Sequence, residues 1–122
     1  MADPRHLLGR QGEEMAAAWL SGRGWTILAQ RWRSSAGELD LVARDLDGTL
    51  VGIEVKLRRG RATGAPAESI DGKRLRRLRA ALGQFLAVQH EAAGGVRIDL
   101  VEISRATDGR WHLVHRAAID AW

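Results

Sequence analysis

The chain contains no cysteine in its 122 residues. That removes thiol nucleophiles, zinc ribbons and any disulfide framework, and it fits a reducing compartment. Long apolar runs are missing as well. The longest small-apolar stretch, residues 15–20, falls far short of the roughly 20 residues a bilayer span needs. Residues 1–10 carry no apolar signal core. A cytoplasmic protein with no membrane partner is therefore expected. There is no internal repeat, low-complexity tract or linker, and the length suits one domain spanning 1–122. Apolar residues make up 45% of the chain, enough for one core.

Charge is present but unevenly placed. The net charge is only +4, yet between Lys56 and Arg79 nine Lys or Arg stand against two acids, a local balance of +7 that leaves −3 for the rest. One concentrated basic segment points to a polyanionic partner. A solvated helix face joined to a basic loop reads the charge equally well.

The apolar spacing predicts the element order. Leu8, Gly12, Met15, Ala16, Trp19 and Leu20 recur at helical period over roughly 5–21, before the breaker Ser21-Gly22-Arg23-Gly24. Residues 25–33 read as a strand whose imperfect phase leaves room for a bulge. Then Glu38 to Ala43 and Val51 to Leu57 each alternate polar and apolar, a hairpin closed by Leu46-Asp47-Gly48 with glycine in the left-handed position. This closure pairs Asp45 with Thr49, Asp40 with Glu54 and Glu38 with Lys56. A Gly- and Arg-rich loop is expected over 58–65. A second helix follows over about 68–92, with Leu75, Leu78, Leu82, Phe85 and Leu86 on its stripe and Gly94-Gly95 as its stop. Two strands close the chain, near 96–103 and 111–114, joined by Thr107-Asp108-Gly109. The result is a mixed α/β fold, α-β-β-β-α-β-β, with helices packed on a mixed central sheet.

The chemistry lies on the hairpin. Strand alternation puts Leu39, Leu41, Ala43, Val51, Ile53, Val55 and Leu57 on one apolar face, and Glu38, Asp40, Glu54 and Lys56 on the other. A solvent-facing sheet face carries mixed charges without any function. Two acids directly opposite each other, however, repel and weaken the ladder. Helices packed on the sheet would also confine them, and Lys56 can neutralise only one. A hard divalent cation satisfies both.

The pattern Asp40…Glu54-Val55-Lys56, after a helix carrying Glu13, resembles the D…ExK site of the PD-(D/E)XK superfamily. More closely, the chain resembles the UPF0102 (YraN-like) family, whose members are similar to archaeal Holliday-junction resolvases. The resemblance covers most of the chain: Gly12-Glu13, Gly37-Glu38-Leu39-Asp40-Leu41-Val42, Glu54-Val55-Lys56 with Arg58, Lys73, and Arg97-Ile98-Asp99. Leu39 stands where members usually have Ile, and the superfamily's Pro before the Asp is absent. The resemblance implies a restriction-endonuclease-like core in which Asp40 and Glu54, with the Val55 carbonyl, ligate Mg²⁺ or Mn²⁺. It implies that Lys56 orients the attacking water or stabilises its charge, and that Glu13 holds a water on the ion or a second ion. Read from the residues alone, Glu13 is an ordinary acid in the first half of a helix. Glu38 reads as an outer partner of Lys56 or as a salt-bridge acid.

Arg58, Arg59, Arg61, Lys73, Arg74 and Arg77 are the candidates for backbone-phosphate contacts, which give affinity and salt dependence but no sequence reading. Trp25, Trp32 and Trp111 are candidates for stacking on unpaired bases, with core packing the favoured reading for each. His6, His90, His112 and His115 show no metal spacing, and surface placement is expected of the last two. Three function classes stay open. The first is a metal-dependent endonuclease acting on DNA, ahead of RNA, with branched or damaged structures among its substrates. The second is a non-catalytic nucleic-acid-binding module of the same fold, and the third a basic helix docking on an acidic protein. By analogy with resolvases, a homodimer is the expected assembly.

Overall fold

A computed structural model describes residues 4–58, 70–89 and 91–120, with side chains from residue 9 onward. The elements follow the expected order: α1 (Pro4–Gly22), β1 (Thr26–Ser34), β2 (Gly37–Arg44), β3 (Leu50–Arg58), α2 (Gly72–Val88), β4 (Val96–Arg105) and β5 (Trp111–Arg116). The sheet order is β1-β2-β3-β4-β5. Neighbours joined by short turns run antiparallel, whereas β3 and β4 are parallel because α2 carries the chain across between them. Among the described residues no helix is long and apolar enough to cross a membrane.

Each helix covers one face of the sheet. α1 buries Ala16, Ala17 and Leu20 against Leu41, Ala43, Val51, Ile53, Val101 and Ile103. Its Gly12 lies against Leu57, Ile103 and Val55, where a Cβ would sit 3.8–3.9 Å from their methyl groups. The helix ends as its amides turn back on it, Arg23 and Trp25 donating to the Leu20 carbonyl, with Gly24 at φ +91. α2 buries Leu78, Ala81, Leu82 and Phe85 against Leu39, Val42, Leu50, Ile98 and Leu100.

The second helix is shorter than its apolar period suggests. Asp71 caps it, accepting from the Arg74 amide at 2.8 Å, and Gln89 is already extended at ψ 155. Gly94-Gly95 is therefore not its stop. Gly94 donates to the Gly48 carbonyl and the Gly95 carbonyl accepts from Leu50, seating this loop on the β2–β3 turn. Leu86, placed on the stripe by period, is 37% exposed. Arg58 belongs to β3, while the rest of the expected Gly/Arg-rich loop and the expected helix start near 68 lie outside the described residues.

The hairpin turn is as expected: Gly48 has φ +83, Asp45 donates to the Thr49 carbonyl, and Leu41 to Arg44 face Ile53 to Leu50. Gly52 is needed here for space. A Cβ on it would meet Ile98 at 3.1 Å, Leu39 at 3.3 Å and Leu82 at 3.5 Å. Gly52→Ala should overpack this junction and destabilise the protein by about 1–3 kcal/mol, read as a lowered midpoint in urea unfolding. An unchanged midpoint would mean that the three side chains shift freely.

Candidate active site

Pairing of β2 with β3 stops at Leu41–Ile53. Beyond that point the two strands part, and the cause is local. Leu41 and Ala43 face α1, but Leu39 packs with the α2 cluster, so β2 changes phase around Asp40. β1 changes phase beside it: its register shifts between Ile27 and Ala29, and Arg31, across from Asp40, has φ 49. The expectation that Leu39 shares the Leu41 face is thus corrected. The physical reason is that a side chain takes over the ladder. Asp40 Oδ2 accepts from the Val55 amide at 2.8 Å, where a β2 carbonyl would otherwise stand.

Asp40 and Glu54 meet in this split. Glu54 is buried, with 4% of its side chain exposed, and one terminal nitrogen of Arg74 donates to both its oxygens at 3.1 and 2.9 Å. Arg74 thereby leaves its own Nε buried without a hydrogen-bond partner. Burial, followed by the negative charge of Glu54 and of Glu13 and a hydrogen bond shared with Glu54, pushes the Asp40 carboxyl up to about 7. The Val55 amide opposes that rise without cancelling it. The pair therefore holds a proton into the neutral range, the behaviour of confined carboxylates short of positive charge.

Glu13 reaches the same neighbourhood from α1. Its Oε2 accepts from Arg31 Nε at 2.7 Å, and this bond raises the Arg31 guanidinium. Lys56, half-buried on β3, makes no ion pair among the described residues. Its neighbour across the parallel ladder is Glu102. Glu38, by contrast, is not opposite Lys56. With the ladder ended at Leu41, it sits across β1 from Arg33, whose Nε is 3.3 Å from its carboxylate. The role of outer partner to Lys56 is corrected accordingly.

The expected phosphate-binding residues divide. Lys73 and Arg77 are exposed on the first turns of α2, and Arg77 helps Ser34, Ser35, Glu38 and Arg74 line a cleft of about 230 Å³. Arg74 is committed to Glu54, and Arg58 donates to Glu102 at 3.1 Å. Arg59 and Arg61 lie outside the described residues, as do His90 and the side chain of His6. His112 is exposed, whereas His115 is half-buried and 2.7 Å from Asp99, not on the surface. Trp25 is in the core and Trp32 packs edge-on to Phe85, while Trp111 is 38% exposed.

Sequence reasoning missed Arg31, Arg116 and Glu102. Glu102 is buried and accepts from both Arg58 and Arg116, the latter at 2.6 Å. Its signal was legible: it stands in phase with Ile98 and Leu100, the positions that face α2.

As donors for a cation, Asp40 and Glu54 fit. They offer hard oxygens, and their retained proton marks a charge deficit that Arg74 does not fill. A residue's amide and carbonyl point to the same side of a strand. The Val55 carbonyl therefore faces the split that its amide enters. Among the described residues no three His, Cys, Asp or Glu side chains cluster for a metal, so the donor set is this acid pair and backbone.

Fold and site define a mixed α/β protein whose central sheet opens around a carboxylate pair, with a basic helix start above it. The chain belongs to the Uncharacterised protein family UPF0102, whose model matches residues 12–103. It is 48% identical over 106 residues to a UPF0102 protein of Roseiflexus castenholzii, covering 85% of this chain and 84% of that one. A UPF0102 protein of Herpetosiphon aurantiacus is 42% identical over 123 residues, covering 98% of each chain. One from Beutenbergia cavernae is 41% identical over 108 residues, covering 88% of this chain and 91% of its own.

Proposed function

We propose that this protein is a divalent-metal-dependent endonuclease of the restriction-endonuclease-like, PD-(D/E)XK type, hydrolysing phosphodiester bonds of DNA. The reading rests above all on the meeting of Asp40 with Glu54 where β2 and β3 part, beside an ammonium group that makes no ion pair among the described residues. Asp40, Glu54 and the Val55 carbonyl would hold Mg²⁺ or Mn²⁺. The ion, when bound, supplies Lewis-acid shielding of the phosphate and eases deprotonation of water.

The chain's own groups do the rest. Lys56 brings its amine into the half-buried site, where it can orient a water and stabilise charge developing on it. Arg74 can pass from Glu54 to a phosphate oxygen once Glu54 has another cation to face, and its planar fork suits that ligand. Glu13, held by Arg31, adds a third carboxylate field on the α1 side. Lys73 and Arg77 present exposed charge for the phosphate backbone. Branched or damaged DNA is the substrate of choice, and two copies of the chain would deliver the paired cuts a junction needs.

Incubating the purified protein with Mn²⁺ and branched, nicked or fully paired DNA should give cleavage that EDTA stops. Lys56→Ala should slow it by roughly 10²–10³-fold. Cleavage that persists in EDTA, or that survives Glu54→Ala, would come from a different site and sink the assignment. DNA binding with a steep salt dependence, no cleavage and no Mn²⁺ uptake would instead mark a non-catalytic binding module.

A further inference from the structure

Glu102 is buried on β4, yet it faces two guanidinium groups. Arg58 Nε donates to one of its oxygens at 3.1 Å, and Arg116 Nε donates to the other at 2.6 Å. A guanidinium stays charged in a protein, so the trio carries one positive charge in excess. The side chains of Arg58 and Arg116 keep 32% and 35% of their surface exposed, so solvent reaches both. Arg116 spends only its Nε on Glu102, and its terminal nitrogens have no hydrogen-bond partner among the described residues. An arginine serving the carboxylate alone would close two parallel bonds on it.

The trio shares a face of the sheet with the acid pair. In the β3–β4 ladder Glu54 stands beside Leu100, Lys56 beside Glu102 and Arg58 beside Ser104. Leu100 packs in the α2 cluster, and alternate residues of a strand point the same way. All of these side chains therefore lie on the α2 face. Arg116 pairs with Leu100 in the β4–β5 ladder and joins that face from the edge strand. Strands lie roughly 4.8 Å apart, so the backbone of Arg116 stands about 10 Å from that of Glu54. A row runs across the sheet from Glu54 and Lys56, over Glu102, to Arg116.

We propose that Arg58 and Arg116, held by Glu102, clamp a phosphate of the DNA strand that flanks the one to be cut. The planar fork of each guanidinium matches phosphate oxygens. Glu102 is a positioning residue. By taking the Nε of each arginine it fixes both side chains beforehand, which lowers the ordering cost of binding. Two guanidinium groups held on one carboxylate repel each other, and an anion seated against them relieves that repulsion. A closed structural ion cluster would leave neither an excess charge nor an unpaired guanidinium end. A nucleic-acid strand is favoured over an acidic protein because the row continues to Lys56 and Glu54. The inference rests on the reading of the acid pair as a nuclease site, and adds the path of the strand toward β5.

Binding of a labelled DNA duplex in EDTA, measured over a range of salt, separates the two claims. Each phosphate contact contributes about 0.9 to the slope of log affinity against log salt. Arg116→Gln should therefore lower that slope by about 1. Its deficit against wild type should shrink by roughly 3–4-fold between about 50 and 200 mM salt. Arg58→Gln should do the same, and the double variant should lose about 2 from the slope. Arg23→Gln is the control: it removes an exposed charge beside Gly24, which lies against Leu46 in the β2–β3 turn, and should keep the wild-type slope. An Arg116→Gln protein that also keeps it leaves the trio a structural ion cluster and overturns the clamp, even where wild type cuts DNA. A wild type that binds no duplex overturns it as well. Poly-glutamate bound as tightly as the duplex, with the same loss in Arg116→Gln, would assign the clamp to an acidic protein instead. A lowered slope in a protein that never cuts with Mn²⁺ keeps the clamp and sinks the nuclease reading alone.

Discussion

At pH 8 without metal, Asp40→Asn should unfold at a higher temperature than the parent protein, and it should have lost Mn²⁺ binding and at least about 10³-fold in cleavage. The gain and the loss have one origin. The folded protein pushes the Asp40 carboxyl up to about 7, whereas in the unfolded chain it titrates near the ordinary 3.8. Between those values the folded state holds a proton that the unfolded state has released. Asp40's contribution to stability is therefore fully present below the lower value. It declines as pH rises and is gone above about 7. Above neutrality the metal-free protein then carries two ionised acids in one confined site. An amide removes that repulsion, still accepts from the Val55 amide through its oxygen, and donates to Glu54 through its nitrogen. The expected gain is roughly 2–4 kcal/mol at pH 8 and near zero at pH 4. Under the proposed metal site, saturating Mn²⁺ should invert the order, because an ion held by the two acids would stabilise only the parent. Thermal unfolding at both pH values, with EDTA and with Mn²⁺, reads all four corners. A variant less stable than the parent at pH 8 in EDTA would show that Asp40 is not a strained carboxylate.

How far this site could be read beforehand is clearest in β2. The turn around Gly48 set the register of Leu41 to Arg44 correctly, because a left-handed glycine and an Asp able to accept two turn amides leave few alternatives. Continuing that register to Glu38 failed. A phase change leaves no mark in an alternating pattern when the residue at the break is itself polar, and Asp40 is that residue. The Val55 amide is satisfied by a side chain 15 residues away, an event no periodicity can display. The same limit explains Arg74. On α2 it looks like one basic residue among several, and only the packing of the helix start over β3 turns it toward Glu54. Arg31 is hidden for a further reason, since a positive φ at arginine has no composition signal. The acid pair itself was legible because it depends on two nearby strands and one turn. Its cation Arg74 was not, because it arrives from α2.

The largest loss of stability is expected on the opposite face of the sheet, at Asp99, which pairs across the β3–β4 ladder with Ile53, the residue before Glu54. Asp99 is fully buried on β4 and satisfies four donors: Arg97 Nε at 2.9 Å, a terminal nitrogen of Arg97 at 3.3 Å, the Ala118 amide at 2.9 Å and the His115 ring at 2.7 Å. Arg97 continues to Asp45 at 2.6 Å, and so joins β4 to the β2–β3 turn. The segment after β5 is docked beside it, with Ile119 donating to the Ile98 carbonyl and Asp120 accepting from the Ile98 amide. Burial alone would raise the Asp99 carboxyl. His115, Arg97 and the Ala118 amide outweigh it and hold the group below its usual range. A depressed carboxylate stabilises the fold above its unfolded value and loses that contribution as pH falls through its folded value. Asp99→Ala should therefore cost about 3–5 kcal/mol at pH 7, since it strands a guanidinium, an imidazole and an amide together. For a chain of this size that lowers the melting temperature by roughly 10–20 °C. The gap between variant and parent should narrow in acid, where the parent must also take up a proton. A loss under about 1 kcal/mol at pH 7 would mean that water replaces the carboxylate, and that Asp99 ties the chain end to the sheet only weakly.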